Sequence, residues 1–92
     1  MYVTSAKLTF YIPYSNSLKD KRQVRRSIVE KTKHRFNASI AEVDTQDSFR
    51  TLIIGVAVVS GDHSHAQDSL DEIINFMEKH IDAELVKIEI IN

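Results

Sequence analysis

The chain has 92 residues, 42% of them apolar and 27% charged, with no cysteine; at this length it can bury only about 60–65% of the surface its unfolded form exposes, so it makes one small domain, residues 1–92. Disulfides, thiolate metal sites and a cysteine nucleophile are excluded, and the longest apolar run, residues 52–59 with Gly55 counted, is far too short to span a bilayer, so a cytoplasmic protein without membrane contact is expected. The net charge of −1 argues against a general nucleic-acid binder, yet residues 19–35 hold eight cations against two acids, net +6, and the remainder carries −7.

Residues 2–12 alternate, with Ala6, Leu8, Phe10 and Ile12 on one face and Ser5, Lys7, Thr9 and Tyr11 on the other, which predicts a half-buried strand ended by Pro13. The turn formers of "PYSNS" follow, and Ser17 is a good N-cap for a helix over 18–36. At 100° per residue, Leu18, Val24, Ile28, Val29, Thr32 and Phe36 share one arc. Lys21 and Arg25 project from within that arc and break its pattern.

Asn37 is the expected C-terminal close of this helix. "ASIAEVDT" reads as a second strand whose inward register is open, and "QDS" as a tight connection into "FRTLIIGVAVVS", a central strand apolar on both faces. "GDHSHAQD" offers Asp62 and Ser64 as caps, the latter with Gln67 in a capping box. Ala66, Leu70, Ile73, Ile74, Met77 and Ile81 then recur at helical spacing over 63–81. In "AELVKIEII", Val86, Ile88 and Ile90 alternate with Leu85, Lys87, Glu89 and Ile91 as a last strand.

The order βαββαβ predicts an α+β ferredoxin-like sandwich: two right-handed crossovers joined by a hairpin, a four-stranded antiparallel sheet in spatial order 4-1-3-2, and both helices on one face. Leu8, Phe10, Ile28, Ile54, Val56, Leu70, Ile74, Met77 and Ile88 are the expected core. The other sheet face is left open, and the third strand would present Ile53, Gly55, Ala57 and Val59 there as a largely apolar strip. With Tyr11, these residues form a candidate oligomer interface, so a homo-oligomer is expected.

Chemistry has few carriers. The third strand has no aromatic residue to stack bases as RNA-recognition modules do, and no glycine-rich phosphate loop or hydrolase serine elbow is present. His34, His63, His65 and His80 lack supporting ligands, so no metal or cofactor is expected. Enzymatic activity is therefore not expected. What remains is the run of cations. Lys19, Lys21, Arg22, Arg25 and Arg26 either form a solvated helix face, with Asp20, Glu42 or Glu89 pairing Lys21 and Arg25, or an anion site reinforced by the helix dipole. RNA phosphate backbone is the expected cellular ligand of such a site.

The stretches "IPYSNSLKDKRQVRRSI", "RFNASIAEVD" and "VAVVSGD" resemble the YlxP-like family of small bacterial proteins, a domain of unknown function. The likeness spans nearly all 92 residues. Its most specific piece is Ser17, Leu18, Lys19, Lys21 and Arg22, followed by Phe36, Asn37, Ala41 and Glu42; Phe49 stands where the family pattern usually has tryptophan. The resemblance implies a ferredoxin-like fold and a gene commonly beside those for translation initiation and ribosome maturation factors, and it brings no established activity. Two expectations follow: an accessory protein that docks through the basic helix on ribosomal RNA or a ribosome-associated partner, and a structural homo-oligomer or interaction module that associates through the open sheet face.

Overall fold

The computed structural model of the chain describes residues 1–44 and 48–92. It contains β1 (Tyr2–Tyr11), α1 (Leu18–Arg35), β2 (Ser39–Asp44), β3 (Thr51–Ser60), α2 (His63–His80) and β4 (Glu84–Ile90). The strands form one antiparallel sheet in the order β2-β3-β1-β4, the ferredoxin-like arrangement. The proposed tight connection at residues 46–48 falls largely outside the described residues.

The alternation of β1 sets the core. Thr4, Ala6, Leu8 and Phe10 are buried, and the β1–β3 register places Leu8 opposite Ile54 and Ala6 opposite Val56, so the inward residues of both central strands share one face. Ile28 of α1 and Leu70, Ile73, Ile74 and Met77 of α2 close over them in one apolar cluster. α1 lies against β2 and β3, and α2 against β1 and β3. Thr4 Oγ1 donates to the carbonyl of Ala66 at 3.1 Å, which ties the central strand to the first turn of α2.

Several expectations shift at the margins. Ser17 caps α1, its side chain accepting from the Asp20 N–H, but the helix closes at Phe36 in extended backbone instead of at Asn37. Asp62 caps α2 by accepting from the His65 N–H, so Ser64 falls inside the helix. Leu18, placed on the apolar arc, is half exposed at the first helical position. Ile53, expected to be exposed on the open face, is only 6% exposed, because the ladder holds it between Thr9 of β1 and Asp44 of β2.

The largest correction is Ile88, an expected core residue that is 48% exposed. Its side is right: it pairs with the buried Leu8. Its cover is incomplete, because the helices make their main contacts with β2, β3 and β1. The β1–β4 register also slips between Thr9 and Phe10, skipping Val86, so that Leu85 comes opposite Phe10 and packs against the core instead.

Phe10→Ala should lower stability by about 3–5 kcal/mol, since it empties a fully buried site, whereas Leu18→Ala should stay within about 0.5 kcal/mol of the parent. Chemical denaturation of the two variants checks the assignment of core and surface.

Candidate anion-binding site

The start of α1 is fixed by the loop before it. Ser15 is buried; its hydroxyl donates to the Phe49 carbonyl at 2.6 Å, and Arg50 Nε donates to the Ser15 carbonyl at 3.0 Å. The Asp20 carboxylate reaches back to accept from the Asn16 N–H at 2.9 Å, satisfying a backbone donor just before the helix. These bonds hold the first turns of α1 against the β2–β3 end of the sheet.

There Lys21 is 5% exposed, a degree of burial that a lysine tolerates only when paired. Its Nζ lies 3.6 Å from Glu42 Oε2 and 3.4 Å from the Ser48 carbonyl. Arg25 Nη1 donates to Glu42 Oε1 at 3.2 Å. Glu42 can receive both because β2 enters the sheet with Ile40 buried opposite Val56, and two residues on Glu42 stands opposite Ile54 on the helix-bearing face. One carboxylate thus sits between two cations, and the trio keeps a net positive charge.

Lys19, Arg22 and Arg26 turn away from this trio. They are exposed and form no ion pair with any described residue. Together with the exposed Lys33 they make a row along one side of α1, at the i, i+3, i+7 and i+14 positions. Beside the row, a groove of about 510 Å³ between α1 and β2 is lined by Arg25, Arg26, Lys33 and Val29, with Glu30 and Glu42 as its acids. Lys19 also stands in the first turn, at the positive end of the helix dipole, where a cation costs about 0.3–1 kcal/mol at low salt. Asp20 is the only acid in that turn.

The open sheet face brings its candidate residues together less well. Tyr11 and the 64%-exposed Val59 are accessible, Ala57 is half-buried, and Ile53 is not available. Gly55 has its place because Val43 lies over it: a Cβ there would sit 2.6 Å from Val43 Cγ1. Tyr11 pairs with Thr51, eight residues from Val59 along β3, so the two exposed groups are about 26 Å apart.

Sequence reasoning sought aromatic groups only in the strands and so passed over a cluster built by the helices. Phe36 meets Phe76 edge to face at 5.3 Å, His80 stacks on Phe76 at 4.2 Å, and the Arg35 guanidinium lies 5.5 Å from the Phe76 ring centre. The signals were the i, i+4 spacing of Phe76 and His80 and the adjacency of Arg35 to Phe36. His63 packs beside Tyr2, and no group of metal-ligating side chains converges among the described residues. At the opposite end of α1, a cavity of about 410 Å³ is lined by Tyr14, Asp20, Gln23, Ser27 and Asp82. The Tyr14 hydroxyl donates to the Asp82 carboxylate and carbonyl, and that bond, with smaller help from desolvation and from the carboxylate's charge, raises the phenol to about 12.

Residues 3–90 match the family model described as "Protein of unknown function (DUF503)". The chain is 31% identical over 64 residues to the uncharacterized protein YlxP of Bacillus subtilis (strain 168), covering 70% of each chain. Among solved structures, the de novo designed protein Ferredog-Diesel is similar at a TM-score of 0.44 and 13% identity, over 96% of this chain and 84% of that one.

Removing the shared carboxylate should cost more than removing the lysine it holds. Glu42→Ala leaves Lys21 out of water without its counter-charge and should lower stability by about 1–3 kcal/mol. Lys21→Met keeps the packing, leaves Glu42 with Arg25, and should be neutral or slightly stabilising. Urea denaturation of both variants gives the comparison; equal losses would mean that the pair is not what holds Lys21.

Proposed function

The chain belongs to the DUF503 family of proteins of unknown function, and we propose that it is an accessory module that binds the phosphate backbone of RNA along α1. One observation carries this reading: Lys19, Arg22 and Arg26 form an exposed row with no ion-pair partner among the described residues, next to a trio that already holds net positive charge. Lys19, Arg22 and Arg26 make the phosphate contacts. Lys21 and Arg25 act from behind, where their bonds to Glu42 set the helix on the sheet and add to the local potential.

The dipole supports the same reading. A helix selected for stability alone places acids, not Lys19, in its first turn, and local rules broken without structural compensation are commonest at functional positions. A row of cations on one rigid helix suits a repeating phosphate backbone. It offers no base-edge discrimination, so the proposed binding follows shape and charge more than sequence. Ribosomal RNA is the proposed cellular target, and a protein partner with a strongly acidic surface would use the same row. No helix among the described residues is long and apolar enough to cross a membrane.

The test is the salt dependence of binding to single-stranded RNA. The Lys19→Ala, Arg22→Ala, Arg26→Ala triple variant keeps good helix formers at all three sites. With about −0.7 in log–log slope for each phosphate contacted on a single strand, it should flatten the salt dependence by about 2 relative to wild type. Fluorescence anisotropy with oligouridine and with ribosomal RNA fragments measures both slopes. Wild type and variant sharing one slope would leave the row as a solvated helix face.

A further inference from the structure

We propose that the free edge of β4 binds a second copy of this chain, strand against antiparallel strand, about a twofold axis through Ile88. This inference is independent of the RNA reading and uses a surface on the opposite edge of the sheet from β2.

The first ground is exposure. Ile88 and Ile90 pair with Leu8 and Ala6 and so stand on the helix-bearing face, yet the helices make their main contacts with the other three strands and leave both residues exposed. With Val86 and Ile91 they form a run of aliphatic side chains 48–62% exposed on an edge strand. Edge strands of stable monomers are ordinarily blunted by charge, proline or cover, and β4 has only Lys87 and the two glutamates to serve that purpose. The Val86 bulge lies at one end of the strand and the shared bonds of Ile91 and Asn92 to Ser5 at the other, leaving residues 87–90 in regular register.

The second ground is the backbone. The Ile91 N–H donates to the Ser5 carbonyl at 2.9 Å, so Ile91 turns its N–H toward β1, as the ladder pairing of Glu89 with Lys7 continues two residues on. Strand alternation then turns the N–H and C=O of Ile90 and Ile88 toward the free edge. An axis at Ile88 lets the two Ile88 residues exchange both hydrogen bonds.

The third ground is charge, and it selects the register. Antiparallel self-pairing that keeps each side chain on its own face requires an axis through a residue. An axis at Lys87 sets Lys87 against itself, and an axis at Glu89 sets Glu89 against itself. An axis at Ile88 sets Lys87 opposite the Glu89 of the second copy, twice over, and brings the isoleucines together on the helix-bearing face. Within one chain Glu89 already lies 3.8 Å from Lys7 and 3.7 Å from Lys87. Pairing about Ile88 extends this into a row that alternates in sign across the junction, Lys7, Glu89 and the second copy's Lys87. The result is one eight-stranded sheet with all helices on the same face and the two copies of α1 toward its outer ends.

Charge reversal tests the register itself. Wild type should sediment at twice the chain mass. Lys87→Glu and Glu89→Lys each place like charges opposite one another twice and should weaken self-association by about tenfold or more. Mixing the two variants should restore a dimer containing one of each, and the Lys87→Glu, Glu89→Lys double variant should dimerise as wild type does. Ile88→Lys, at an exposed position, should also give a folded monomer by circular dichroism and sedimentation, so the test stands even if Glu89→Lys loses its fold with its Lys7 contact. Wild type that remains monomeric at high concentration overturns the proposal. So do single variants that associate as tightly as wild type, which would place any self-association on another surface such as the open sheet face.

Discussion

A single carboxylate organises the basic side of this molecule. Glu42 points from an edge strand under α1, and without it Lys21 would be a cation removed from water with, among the described residues, the Ser48 carbonyl as its remaining partner. Because Glu42 also takes Arg25, the two cations that interrupt the apolar arc of α1 become part of the helix–sheet contact. The arrangement is a poor way to gain stability, since a buried ion pair seldom outperforms an apolar replacement of the same volume. Its other effect is positional: it orients α1 about its axis so that Lys19, Arg22 and Arg26 face solvent on the β2 side.

The molecule therefore has two unlike edges. At β2 the sheet is flanked by guanidinium and ammonium groups above a charged groove. At β4 it ends in aliphatic side chains that are about half or more exposed. A domain this small buries a limited fraction of its surface, and Ile88, Ile90 and Ile91 are among the large aliphatic residues it leaves exposed. An edge-to-edge pair would hide that apolar surface and place two basic helices at the ends of one long sheet. The central open face, with Ile53 sheltered and Val43 resting on Gly55, offers less continuous apolar surface than its sequence suggests.

What could be read from the chain follows from what periodicity encodes. The alternation of β1, the helical spacing from Ala66 to Ile81 and the caps Ser17 and Asp62 are local properties, and the elements, their order and the sheet topology follow from them. Lys21 and Arg25 also stood out locally, as charges inside an apolar arc. Their partner did not, because Asp20, Glu42 and Glu89 were equal candidates until β2 was placed. Only the burial of Ile40 opposite Val56 turns Glu42 inward. Ile88 and Ile53 fail for a related reason: alternation tells which face a residue joins but not whether anything covers that face. Ile88 has the core's side without its full cover, and Ile53 is sheltered on the open side by neighbouring strands. The cluster of Phe36, Phe76, His80 and Arg35 depends on how two distant helices meet, which no local pattern specifies.

In the proposed complex α1 presents its outward cations to a phosphate backbone. Titrating isotope-labelled protein with single-stranded RNA and following backbone amide shifts tests it at residue resolution. Perturbations should concentrate at Lys19, Arg22, Arg26 and Lys33, fade toward β1 and be absent from β4. Shifts centred on the open sheet face, or none at low salt, would contradict it.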